Sequence, residues 1–143
     1  MSSGAKRALG TKLKLGNGLS PESFAAVAEI TTLSQSGKKI DLIDVTNMDS
    51  TAVNGLIFRE FIGGLADGGE IDFSANYIPG NSSQEAFRTA FDGVLHNWQI
   101  VLPSSLGTWS FAGFVNSDDK SYAIDKQLSF SGKIKISGPD TFA

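Results

Sequence analysis

Glu70 and Asp72 stand two residues apart in a run that alternates polar and apolar, so both carboxylates point to one side of an extended strand. A pair of carboxyls is what glycoside hydrolysis uses, one group on each side of the scissile bond. Two acids on one flat strand face do not flank a cleft, so this pair reads as charged surface. Asp44, Asn47 and Asp49 offer oxygen ligands at short spacing, but the turn Gly and terminal Glu of an EF-hand loop are missing. Asp118 and Asp119 lie among Asn and Ser, where acids bond local backbone. His96 is the only histidine and cysteine is absent. No imidazole or thiolate cluster can therefore hold zinc, and no disulfide forms. Gly-x-Ser-x-Gly, P-loop and Gly-x-Gly-x-x-Gly signatures are also missing. The sequence predicts a protein that is not an enzyme and needs no metal or cofactor.

The elements that position these residues are mainly strands. From Glu70 onward, Glu70, Asp72, Ser74 and Asn76 face one way and Ile71, Phe73, Ala75 and Tyr77 the other, the period of two of a half-buried strand. Strands are also expected over 24–33 and 39–45, joined by a hairpin loop at 34–38. Others are centred on 98–102, 109–115 and 127–137, with turns at 103–107 and 116–120. Pro79-Gly80-Asn81 breaks the chain, and Ser82 followed by Glu85 has capping-box spacing. Phe87, Phe91 and Val94 continue at helical spacing, which predicts one helix over 82–92 with Gly93 as its stop. Trp98, Trp109, Phe111, Phe114 and Tyr122 are expected in the core; a base-stacking platform would need basic residues around it. The fold class that results is mainly β, an antiparallel β-sandwich flanked by an α-helix.

Between these strands lies a long Gly-rich loop, 47–68, holding Asp49, Leu56, Ile57, Phe58, Phe61, Leu65 and Asp67. A loop of that length in a small domain is usually functional or disordered, and its apolar content argues against disorder. Side chains of this kind held out from a domain need a partner surface, which points to assembly.

A chain of 143 residues with 41% hydrophobic content and ten Phe is enough for one core. No apolar run approaches the roughly 18 residues of a membrane span. The N-terminus lacks the apolar centre of a secretory signal, so residence in the cytoplasm where the chain is made is expected. Net charge is −3, but residues 1–16 hold Lys6, Arg7, Lys12 and Lys14 and no acid, leaving a body with 15 acids. The basic arm, 1–16, fits nucleic-acid binding or a solubilising tail. The expected domain spans 17–138, with a C-terminal tail over 139–143.

The order and spacing of several segments resemble the tail tube proteins of long-tailed phages. They are Asp44-Val45-Thr46, Asp49-Ser50-Thr51-Ala52, Asp67-Gly68-Gly69-Glu70, the strand closing near Pro79, the helix near 82–92, the Trp98 and Trp109 strands and Ile134-Lys135-Ile136-Ser137-Gly138. The resemblance implies hexameric rings stacked into a hollow tube in the virion tail that conducts double-stranded DNA without binding it specifically. Further implied partners are a tape measure protein, a tail terminator and baseplate or tail-tip proteins. On this reading Glu70, Asp72, Ser74 and Asn76 line the lumen, the 47–68 loop makes inter-subunit contacts, and the basic arm orders on a neighbour's acidic body. Lys133 and Lys135 fall on the same polar face and are expected either to pair across strands with its acids or to lie on its outer part. Tube subunits of type VI-like secretion systems, tail-like bacteriocins and gene transfer agents are the alternatives in the same class. A monomeric β-sandwich binding module is the alternative outside it.

Overall fold

The computed structural model describes residues 3–143. Its elements, in chain order, are strands β1 (Lys12–Gly16), β2 (Phe24–Ala26), β3 (Ile30–Ser36), β4 (Lys39–Asp44), β5 (Ala52–Val53), β6 (Leu56–Ile57), β7 (Phe61–Asp67) and β8 (Glu70–Asn76). Helix α1 (Ser82–Thr89) follows, then β9 (His96–Val101), β10 (Thr108–Ser121) and β11 (Ser129–Phe142). Seven strands form one sheet in the order β2-β1-β9-β10-β11-β8-β3, with every neighbour antiparallel.

The sandwich arises by folding this one sheet over. β10 and β11 are 14 residues each and serve both halves. Their upper parts join β8 and β3; the lower part of β10 joins β9, β1 and β2. Register shifts at Ser110/Ala112 and Val115/Ser117 mark where the ribbon bends, as strands do when they pass from one layer to the next. The fold brings β1 against β3 and encloses one cluster that includes Leu13, Ile71, Phe73, Phe87, Trp98, Phe130 and Ile134.

Helix α1 closes one face. Phe87 is fully buried, edge-on to Phe73 at 4.9 Å between centroids. Gly132 makes room for it, since a Cβ there would come within 2.5 Å of Phe87 Cζ. The cap is Asn81 rather than Ser82: its Oδ1 accepts from Ser83 N at 3.1 Å and Gln84 N at 3.3 Å. Glu85 pairs with Arg88. The helix stops at Thr89, not residue 92, so Phe91 lies outside it and is exposed. Buried Gln84 ties the helix to the sheet through Ala28 O (3.1 Å), Asn76 O (2.8 Å) and Ile78 N (2.9 Å).

Several sequence expectations are corrected by this topology. Residues 34–38 do not close a hairpin, because β3 pairs with β8 and β4 with β7. The 24–33 strand is broken after Ala26 and resumes at Ile30, with Glu29 at a φ of 61° between. The 116–120 turn is instead part of β10: Asn116 sits at the register shift, and Ser117 to Lys120 pair with β11. Part of the basic arm is core: Lys12–Gly16 is β1, inserted between β9 and β2, with Leu13 at 0% exposure. The tail is strand as well, since Thr141 and Phe142 pair with Ser110 and Trp109. Residues 1 and 2 of the arm lie outside the described residues. Trp98 and Phe111 are buried as expected, whereas Phe114 and Tyr122 are exposed.

Candidate assembly surfaces

Three surfaces are left uncompleted by the fold. The first is the polar face of the upper half-sheet. Along β8, Ile71, Phe73 and Ala75 are buried and Glu70, Asp72, Ser74 and Asn76 are half-buried on the opposite side. Register extends this face across the neighbouring strands. Ser34, Asp72, Lys133 and Ser117 form one row, and Thr32, Ser74, Ser131 and Asp119 the next. Lys133 therefore stands directly opposite Asp72, and Lys135 opposite Glu70. The face mixes both signs, with Glu70, Asp72 and Asp119 against the two lysines. Asp72 Oδ1 and Ser117 Oγ are both withdrawn from water without a hydrogen-bond partner among the described residues.

The second surface is a pair of strand edges. β9 pairs with β10 only from Thr108 to Gly113, so the stretch Phe114–Ser121 has a partner on one side alone. β3 is the other edge of the same four-stranded half. Unpaired N–H and C=O rows of this kind invite another strand.

The third is the segment expected as a loop. Lys39 pairs with Asp67 just as Ser36 pairs with Glu70, so β4–β7 continues the register of β3–β8 beyond the sheet as one long two-stranded ribbon. Its tip is β5–β6, turned by Asn54 and Gly55 at φ 52° and 77°, the left-handed pair a type I′ hairpin turn requires. Asn-Gly between Ala52-Val53 and Leu56-Ile57 was the signal for it. Both ribbon faces carry exposed apolar side chains, beside Lys39, Asp41 and Asp44 of β4. Ile43 lies opposite Ile62 on one face, and Leu42 opposite Gly63 with Phe61 on the other. Leu56, Ile57, Phe58 and Phe61 are all exposed, and Leu65 is 82% exposed.

The acids of this region are engaged locally. Asp44 accepts from Thr46 N at 2.9 Å and faces Arg59 at 3.6 Å. Asn47 accepts from Asp49 N at 2.8 Å. No cluster of three metal-ligating side chains occurs among the described residues. Asp67 bonds Lys135 at 2.6 Å, and Lys38 bonds Asp140 at 3.0 Å, so two ion pairs join the ribbon base to β11. In the arm, Lys12 and Lys14 belong to β1, while Lys6 and Arg7 precede it and are exposed.

A small β-domain with a finished core, a polar sheet face, two open edges and an apolar ribbon is a subunit that other copies complete. The chain belongs to the lambda phage tail tube protein family, whose family model matches residues 9–143. It is a structural tail tube protein, not an enzyme. Solved structures share the fold. A chain in the virion of a native gene transfer agent particle is similar with a TM-score of 0.76 and 20% identity, covering 97% of this chain and 99% of that one. A chain in the tail of an empty gene transfer agent particle, computed with C6 symmetry, gives 0.75 at 20% identity over 97% and 99%. The SPP1 tail tube gives 0.63 at 11% identity over 92% and 75%. A comparison with curated protein sequences finds no match.

Proposed function

We propose that six copies close into a ring by adding β3 of each copy to the free edge of β10 in the next, and that rings stack into a tube conducting double-stranded DNA. The observation that carries this reading is the strand direction at the two edges. Antiparallel pairing through β10, β11, β8 and β3 leaves β3 running opposite to β10. The junction continues the same alternation, and a closed barrel with four strands from each copy has no edges left.

Closure puts the helix-covered core outside and the row of Glu70, Asp72, Ser74 and Asn76 inside. A lumen with few free cations suits passage, because cations gather phosphates and release their counterions. The apolar ribbon makes the contact between copies and between stacked rings. That contact is heterologous and does not limit itself, so a tape measure protein and end-capping partners, a terminator and a baseplate or tail tip, fix the length. Assembly takes place in the host cytoplasm and the product is the tail of the virion.

Negative-stain microscopy of the purified chain tests this reading. Long hollow tubes are expected. Short stacks of rings would favour a secretion-type subunit, and monomers at high concentration would overturn ring closure altogether.

A further inference from the structure

We infer that the apolar loop from Phe91 to Leu95 is the seat for the base of the neighbouring copy's ribbon within one ring. The inference rests on the ring reading above. β9 sets where an added strand must end: His96 holds Gly113, and the edge of β10 is open only from Phe114 onward. An incoming β3 runs antiparallel to β10, so its Ser36 end arrives at the Phe114 end. Its continuation, the ribbon beginning at Lys39, leaves the shared sheet where β9 blocks the edge.

The residues immediately before β9 are the exposed loop. Phe91, Val94 and Leu95 are 58%, 55% and 47% exposed. The loop runs from α1, on the core side, to β9 in the sheet, and so forms the shoulder that an added strand passes. It is preformed: Asp92 Oδ1 accepts from Val94 N at 2.9 Å and meets His96 Nε2 at 3.2 Å. At the arriving ribbon base, Ile40 and Leu42 are equally uncovered. Two apolar elements exposed in the single copy are thus carried to one level by the same strand addition. The occupant is a second copy of this chain.

Side-chain period restricts the strand pairing further. Thr32, Ser34 and Ser36 must face the same way as Ser117, Asp119 and Ser121, so only every second register is open.

The absence of native cysteine makes disulfide trapping a clean test, since bridging needs Cα atoms within about 7 Å. The variants are Leu95→Cys with Ile40→Cys, and Val94→Cys with Leu42→Cys, in the full chain. Ser34→Cys combined with Ser117→Cys or with Asp119→Cys reports the strand junction. Oxidised tubes, run without reductant, should give covalent ladders from at least one loop–ribbon pair, ending at six copies. Junction ladders without any loop–ribbon ladder would overturn the seat and leave the ring intact. A loop–ribbon ladder running past six copies would place the contact between rings and also overturn it. Visible tubes giving no ladder from any pair would overturn both readings. As a second measurement, Val94→Ser with Leu95→Ser should keep the monomer's unfolding midpoint and raise the concentration needed for assembly about tenfold, which is about 1.4 kcal/mol; an unchanged threshold would refute the seat.

Discussion

Lys135 lies directly opposite Glu70 in the register of β11 and β8, yet its ammonium bonds Asp67 at 2.6 Å. Glu70 accepts instead from Asn116 Nδ2, reaching across from β10 at 3.2 Å. The lysine is thereby drawn off the polar face toward the ribbon base, and Glu70 keeps its charge uncompensated there. A direct cross-strand partner is geometrically close, but Asp67 lies where the chain leaves the sheet and also accepts from Gly69 N at 2.8 Å. The ion pair bridges the ribbon base and β11.

That attachment should depend on pH at its acid limb. Asp67 is held below the usual carboxylate range by the Lys135 ammonium first and the Gly69 N–H next. Asp140 is lowered chiefly by Lys38. A depressed folded pKa means a contribution present in full above the unfolded value, about 3.9, and lost as pH falls through the folded one. Opening of the ribbon base, read as amide exchange relative to the intrinsic rate at each pH, should therefore be insensitive to these groups between pH 5 and 8 and rise as the pH drops below about 4. In Asp67→Asn most of that rise should vanish. Equal rises in both proteins would detach the pair from this role.

The ribbon's apolar side chains should matter to assembly and not to folding. Replacing Phe58, Phe61 and Leu65 together with Ser removes exposed surface that gains roughly 25 cal/mol per Å² only once a partner covers it. The triple variant should unfold cooperatively at the wild-type midpoint and form no tubes under the microscope. Tubes of normal length would free the ribbon from its assigned contact.

The N-terminus divides into two parts with opposite expectations. Deleting residues 1–8 leaves β1 whole, and should preserve thermal unfolding while making assembly weaker and less dependent on salt, since exposed charges are screened beyond about 10 Å at 0.1 M. Deleting 1–16 removes β1 and buried Leu13. Loss of a core Leu alone costs about 2–5 kcal/mol, so this longer deletion should fail to give a cooperative transition. A folded 17–143 chain would contradict the placement of β1.

How far the sequence spoke depended on what each segment faces. The two faces of β8 were legible because one side meets the core and the other does not, which imposes a clean alternation, although the strand is Glu70–Asn76 and not 69–78. β1 alternates too, Lys12-Leu13-Lys14-Leu15, but its cations drew attention to charge and hid the pattern. Asn116 to Lys120 looked like a turn because every residue is polar; in the fold this stretch is an open edge whose strand conformation comes from long-range pairing to β11. The ribbon was hidden for the reverse reason. Apolar residues on both faces give no alternation, and Gly63, Gly64, Gly68 and Gly69 imitate a loop. The surfaces that remained obscure are the ones that lack their partners in a single copy.

Gln84 offers a stability test independent of assembly. Its amide satisfies Ala28 O, Asn76 O and Ile78 N from a buried position. Gln84→Ala would leave those groups without a partner, at about 1–3 kcal/mol for each one kept from water. The midpoint of denaturant unfolding should fall clearly with an unchanged slope, while Glu85→Ala, which removes only a half-buried carboxylate paired with Arg88 on the same helix, should alter it little. Equal effects would mean that the amide is not what joins helix and sheet.

The polar face carries the sharpest functional expectation. Changing Glu70 and Asp72 to Lys would put two further cations on the face that already holds Lys133, in the rows that the register defines. Inside a closed barrel every added cation offers a phosphate contact and a released counterion, so affinity for DNA should climb steeply with each one. Where the variant still forms tubes, they should retain double-stranded DNA at low salt and release it as salt rises, whereas wild-type tubes should retain none. Virions built from the variant should eject their genome slowly from tails of normal appearance. Equal DNA retention by the two kinds of tube would put these carboxylates outside the lumen, on the outer wall or within a contact between copies, and leave the polar face as ordinary solvated surface.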